Sequence, residues 1–154
     1  MTQALGVREG NIVDLRDATQ ADLISVFGRK GQFKGRLFNW VKPGRSNVTI
    51  YYSGHASPVY MRAKTLSLPA NVTVIAAGGA REMASWEKDK SHGLFTKYFL
   101  LGMSGKADAA PFGNGDGSVG YDELKRYLKD TMSYYARRYY GRDQTARFAL
   151  GGGR

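Results

Sequence analysis

The chain contains no cysteine. That excludes disulfides, thiolate metal sites and a cysteine nucleophile. No apolar run reaches the roughly 18 residues that a membrane-spanning helix needs, so no membrane partner is expected. The stretch from Met1 to Gly10 lacks the basic-then-apolar layout of an export signal, which predicts a cytoplasmic location. Histidine is scarce, with only His55 and His92. Internal repeats and long linkers are missing as well. What remains suffices for a core: 154 residues, 42% hydrophobic and 12% aromatic. The length predicts a single domain over 1–150, with 151–154 as a flexible tail. The net charge of +10 favours acidic partners or nucleic acid, and it bears on non-specific binding, not on fold.

Asn11-Ile12-Val13-Asp14-Leu15 reads as a short strand. Thr19 with Asp22 forms a capping pair that opens a helix bearing Leu23, Ile24 and Phe27. Phe33, Leu37, Phe38 and Val41 are spaced as a second helix, ended by Pro43-Gly44. Val48 to Tyr52 and Val72 to Ala77 read as buried strands. Gly93 to Leu101 reads as a helix, and a glycine-rich loop spans Lys106 to Gly120. The last helix carries Leu124, Leu128, Met132 and Tyr135 as its stripe. Apolar strands alternating with helices predict a parallel sheet covered on both faces, with the site at the carboxyl ends of the strands.

Tyr51-Tyr52-Ser53-Gly54-His55 lies at such a strand end. An imidazole there, with a pKa near neutrality, can serve as a general base. Ser53 and Ser57 flank it, and Ser53 is on the better side to act as a nucleophile, a minor alternative.

Three stretches together resemble the caspase-like peptidase family, in its bacterial, metacaspase-related branch. The first is Leu15 to Leu23. The second is Tyr51 to His55. The third runs from Ala84-Ser85-Trp86 through His92-Gly93-Leu94-Phe95-Thr96 to the Asn114-Gly115-Asp116-Gly117 loop and Gln144-Thr145. The resemblance covers about Leu5 to Gly151. It implies an α/β fold with a mostly parallel sheet and flanking helices, and a Cys-His dyad that hydrolyses peptide bonds. By resemblance, His55 is the dyad base and Gly54 its adjacent turn residue.

Two departures matter. Ala56 stands where the family has glycine. The strand carrying the nucleophilic cysteine has no counterpart, since only Ser57 to Leu68 occupy its place, and the family's first strand is missing too. An inactive cysteine-endopeptidase domain is therefore expected. Its alternatives are a regulatory or peptide-binding module, with a peptide, a protein substrate or an active relative as partner, and a basic nucleic-acid-binding domain. Asp17, at a strand end near the expected site, is a candidate for selecting basic substrate residues. A helix-entry acid is the more favoured reading of it.

Asn114, Asp116, Ser118 and Glu123 follow much of the spacing of an EF-hand calcium loop. The first ligand position falls on Phe112. Asp108 then reads as a displaced first ligand, separated by the insertion Ala110-Pro111-Phe112-Gly113. The competing and favoured reading is a glycine-rich turn with Glu123 in the first turn of a helix. His92 reads as a surface or capping residue. Lys125, Arg126, Lys129, Arg137, Arg138 and Arg142 share the last helix region with Tyr127, Tyr134, Tyr135, Tyr139 and Tyr140. Such a set can grip phosphates and stack bases. An amphipathic helix with solvated arginines is favoured over that.

Overall fold

The computed structural model describes residues 6–42, 44–50, 73–79 and 81–150. The chain divides into two compact units, Gly10–Ser57 and Met1–Glu9 with Pro58–Arg154.

The smaller unit begins its regular structure at Thr19. The Thr19 hydroxyl accepts from the Asp22 N–H at 3.3 Å, and the Asp22 carboxylate accepts from the Thr19 N–H at 2.9 Å. This reciprocal cap starts helix α1, Gln20–Phe27. A tight antiparallel hairpin follows, β1 (Gly28–Arg29) against β2 (Phe33–Lys34), and then the short helix α2, Arg36–Trp40. A Cβ on Gly35 would collide with the Val26 carbonyl and the Gly28 amide, so only glycine lets the hairpin return against the end of α1.

The larger unit holds strand β3 (Thr73–Ala76), helix α3 (Leu94–Leu101), helix α4 (Tyr121–Leu128), helix α5 (Tyr134–Tyr140) and strand β4 (Arg147–Leu150). A π-helical turn, Gly102–Lys106, continues α3, and another, Lys129–Ser133, joins α4 to α5. Within the second, the Thr131 hydroxyl donates to the Tyr127 carbonyl at 2.6 Å, where it competes with the backbone ladder. β3 pairs antiparallel with β4, from Thr73 opposite Leu150 to Ala76 opposite Arg147. Leu94, Leu124, Leu128 and Met132 are fully buried, with Tyr98, Phe99, Tyr127 and Ala136 around them. Ile75 and Phe148 pack on this core from the two strands. Tyr98 stacks on Tyr135 with ring centroids 5.5 Å apart.

The fold is thus a mixture of helices and strands, as expected. Both sheets among the described residues are two-stranded and antiparallel, and no parallel ladder occurs among those residues. The expected strand over 11–15 is a 3-10 turn, Glu9–Asn11, followed by irregular chain. Asp14, Arg16 and Asp17 are exposed there, and Asp17 takes a positive φ of 51°, which no strand allows. The expected helix over 33–41 is a hairpin strand plus the shorter α2. Strand β4 was not foreseen. Of the expected buried strand over 48–52, Val48, Thr49 and Ile50 are irregular and exposed, with no sheet partner among the described residues to bury them; the segment 51–72 and the tail 151–154 lie outside the described residues. Among the described residues no helix is long and apolar enough to cross a membrane.

Candidate functional site

His55 and Gly54, with Ser53 and Ser57, lie outside the described residues. Asp17 is exposed in the loop that leads to the Thr19 cap. His92 is exposed in the turn before α3, whose capping position is Gly93. The His92 carbonyl accepts from the Glu87 N–H at 2.8 Å, and Trp86 bridges to Gly93.

The loop between α3 and α4 brings together the residues set out for calcium. Asp108 is separated from Asp116 by seven residues, yet its carboxylate reaches back. Its Oδ1 accepts from the Asp116 N–H at 3.1 Å and its Oδ2 from the Gly117 N–H at 3.0 Å. The insertion folds out of the way because Phe112 turns its ring edge-on to Tyr127, 5.1 Å between centroids. Phe112 is therefore a packing anchor at the first ligand position of the EF-hand spacing. Asn114 Oδ1 accepts from the Asp116 N–H, and Asp116 Oδ1 accepts from the Ser118 N–H at 2.9 Å. Asn114 Nδ2 donates to Asp116 Oδ2 at 2.9 Å. That contact, followed by the Ser118 amide, holds the Asp116 carboxyl below its ordinary range. Gly117, at φ 88°, supplies the left-handed turn.

Glu123 closes the loop from the helix side. Its Oε1 accepts from the Asn114 N–H at 3.0 Å and its Oε2 from the Gly120 N–H at 2.8 Å, which also caps α4. The carboxylates thus face backbone amides. Among the described residues, no group of three acidic or histidine side chains is placed to hold a metal ion.

A second cluster had no local signal in the sequence. Gln144 is fully buried. Its Oε1 accepts from the Ser85 N–H at 2.7 Å, its Nε2 donates to the Ala77 carbonyl at 3.0 Å, and its own carbonyl accepts from the Ser133 hydroxyl at 2.7 Å. Arg142 donates to Ser85 Oγ and to the Ala84 carbonyl. Glu82 accepts from the Gly79 and Thr145 amides, which lower its pKa, and Arg147 adds to this. The segment 77–87 is thereby strapped to the chain that enters β4. Only the resemblance had drawn attention to Ser85 and Gln144. Alongside, Glu87 is buried, pairs with Lys97 at 2.8 Å and raises the lysine's pKa.

On the last helix, Tyr127 is buried and Tyr135 half-buried, while Tyr134, Tyr139 and Tyr140 are exposed. Arg138 donates to the Tyr134 hydroxyl, Arg137 pairs with Asp143, and Arg142 is taken up by the 83–85 segment. Arg137, Arg138 and, just past the helix, Arg142 therefore bond to their own fold, while Lys125, Arg126 and Lys129 are exposed.

Comparisons with protein-family models, with curated proteins and with solved structures found no match for this chain.

Proposed function

We propose that this chain is a non-catalytic caspase-like module that binds a peptide or a protein, such as an active relative. The supporting observation is a core built without a thiol: Leu94, Leu124, Leu128 and Met132 close it, and Gln144 straps the Ser85 backbone to it. In the resemblance, that Ser85-Trp86 stretch belongs to the peptidase pattern, while the dyad keeps only His55. A histidine base without its thiol has nothing to activate.

The test pairs hydrolysis with binding. Labelled peptides containing arginine or lysine are incubated with the wild-type chain and with His55→Ala. The expected result is no cleavage by either and peptide binding by anisotropy to both. Cleavage that disappears in His55→Ala would replace the module with a residual hydrolase. Absence of both cleavage and binding would reject the reading.

The reach of Asp108 to Asp116 and Gly117 favours a second reading, a calcium-binding loop. The donors at Asp108, Asn114, Asp116, Ser118 and Glu123 are all oxygen, which suits a hard cation. Each carboxylate oxygen has a second lone pair to offer beside its amide partner. Glu123 would have to turn away from the Asn114 amide to join them. Under this reading calcium raises the melting temperature by about 2–4 °C for each kcal/mol of binding. Glu123→Gln removes the shift. An unchanged melt in excess calcium leaves the loop as a turn.

A further inference from the structure

From Leu23 to Arg81 the sequence contains no aspartate or glutamate but nine lysines and arginines. Nine of the net ten positive charges therefore lie in that stretch. Its described portion includes the hairpin and α2. There the cations alternate with aromatic rings that the fold leaves in solvent. Phe33 is 51% exposed, Phe38 57% and Trp40 45%. Lys30, Lys34 and Arg36 are exposed beside them. Lys34 Nζ rests 3.9 Å from the Phe38 ring centroid, and the Arg36 guanidinium lies 5.3 Å from that of Trp40. Among the described residues, none of these three cations forms an ion pair.

The backbone holds this arrangement in place. The Gln32 N–H donates to the Arg29 carbonyl to close the hairpin turn, and the close approach of Gly35 to the Val26 carbonyl fixes the hairpin to α1. Lys30 then sits at the hairpin turn, Phe33 and Lys34 on β2, and Arg36, Phe38 and Trp40 on α2.

We propose that this surface binds single-stranded nucleic acid. Its chemistry matches both halves of such a ligand. Cations take the backbone phosphates, and exposed rings take the faces of unpaired bases, which needs no sequence reading. A duplex hides its base faces and leaves the rings unused. An anionic membrane fits less well. Inserting Phe38 into hydrocarbon would carry the Lys34 ammonium with it and desolvate the charge. The inference does not depend on the caspase-like reading, and it rests on the rings as much as on the charges: Lys125, Arg126 and Lys129 on the last helix are exposed too, but among the described residues none of them lies over an aromatic ring as Lys34 and Arg36 do.

The experiment titrates the full chain into a fluorescein-labelled oligothymidylate of about ten nucleotides, followed by anisotropy between about 50 and 200 mM salt. The expected result is binding whose log affinity falls against log salt with a slope of about −2, from three cations each releasing about 0.7 counterion. Lys30→Gln with Lys34→Gln and Arg36→Gln flattens that slope. Phe38→Leu with Trp40→Leu weakens oligothymidylate by about tenfold or more and leaves heparin binding unchanged. The charge variant keeps every ring and glycine, so it reports even if the ring variant fails to fold. No binding at the lower salt overturns the proposal. So does a slope untouched by the charge variant, or a folded ring variant that binds as wild type. Tighter association with phosphatidylserine vesicles, or self-association on gel filtration at this surface, would overturn it in favour of those partners.

Discussion

Gln144 shows how much one buried polar residue can carry. Its side chain satisfies the Ser85 amide and the Ala77 carbonyl, two backbone groups 67 residues or fewer away along the chain but adjacent only in the fold. Ser85 is itself 1% exposed, so its N–H has no water to fall back on. Gln144→Ala leaves the Ser85 N–H unpaired in a dry site, which costs about 1–3 kcal/mol, and opens the half-buried Ala77 carbonyl to water, which adds about 1 kcal/mol for the lost bond. Urea denaturation should show a loss of roughly 2–4 kcal/mol with little change in slope. A loss below roughly 1 kcal/mol would mean that water replaces the amide. None of this was legible locally. Gln144 is one glutamine between charged and polar neighbours, and its partners come from distant chain.

At the scale of elements, local patterns were read well where local forces decide. The Thr19–Asp22 capping pair, the strand over Thr73–Ala76, the α3 helix and the glycine-rich loop were all legible, because caps, β-branched runs and turn glycines act over a few residues. The hairpin was not. Phe33 and Phe38 fit a helical stripe, yet Gly35 breaks it, since its role is a close approach to α1 that no local propensity reveals. Gly35→Ala should destabilise the smaller unit by about 1–3 kcal/mol, because the added methyl overlaps backbone that cannot move aside. Trp40 reports this through its fluorescence in a denaturant titration. An unchanged midpoint would mean that the hairpin shifts without cost.

Over the whole molecule, charge is distributed in two ways. Most described carboxylates of the larger unit, such as Glu82, Glu87, Asp108 and Glu123, are taken up by amides and cations of their own fold, whereas the acid-free stretch carries almost all the net charge. The first has a pH consequence. The Gly79 and Thr145 amides, aided by Arg147, depress the folded pKa of Glu82 below its ordinary value of 4.5. A depressed acid stabilises the folded chain above its unfolded pKa, and that contribution is lost as pH falls through the folded value. Asp22, Asp89 and Asp116 shift in the same direction through hydrogen bonds with Thr19, Ser91 and Asn114 respectively. Stability should therefore be level from neutral pH down to about 4.5 and decline below it. Glu82→Gln should lower the plateau and flatten the acid limb. An acid limb of unchanged slope would show that Glu82 is not a principal contributor.

Composition and short-range spacing alone establish the absence of thiol chemistry, the helical and turn signals, the set of oxygen donors in the 108–123 loop and the run of cations without acids. Each is a property of composition or of residues a few positions apart. Long-range packing sets the rest: Asp108 spans the Phe112 insertion, Phe112 packs on Tyr127, Gln144 holds Ser85, and β4 returns to pair with β3. The fold also sets which basic groups are engaged: Arg137, Arg138 and Arg142 bond to their own fold, while Lys30, Lys34 and Arg36 stand among exposed rings. The physical reason is the same in each case. A side chain's partners are set by burial and by the meeting of distant segments, and neither is encoded in its immediate neighbours.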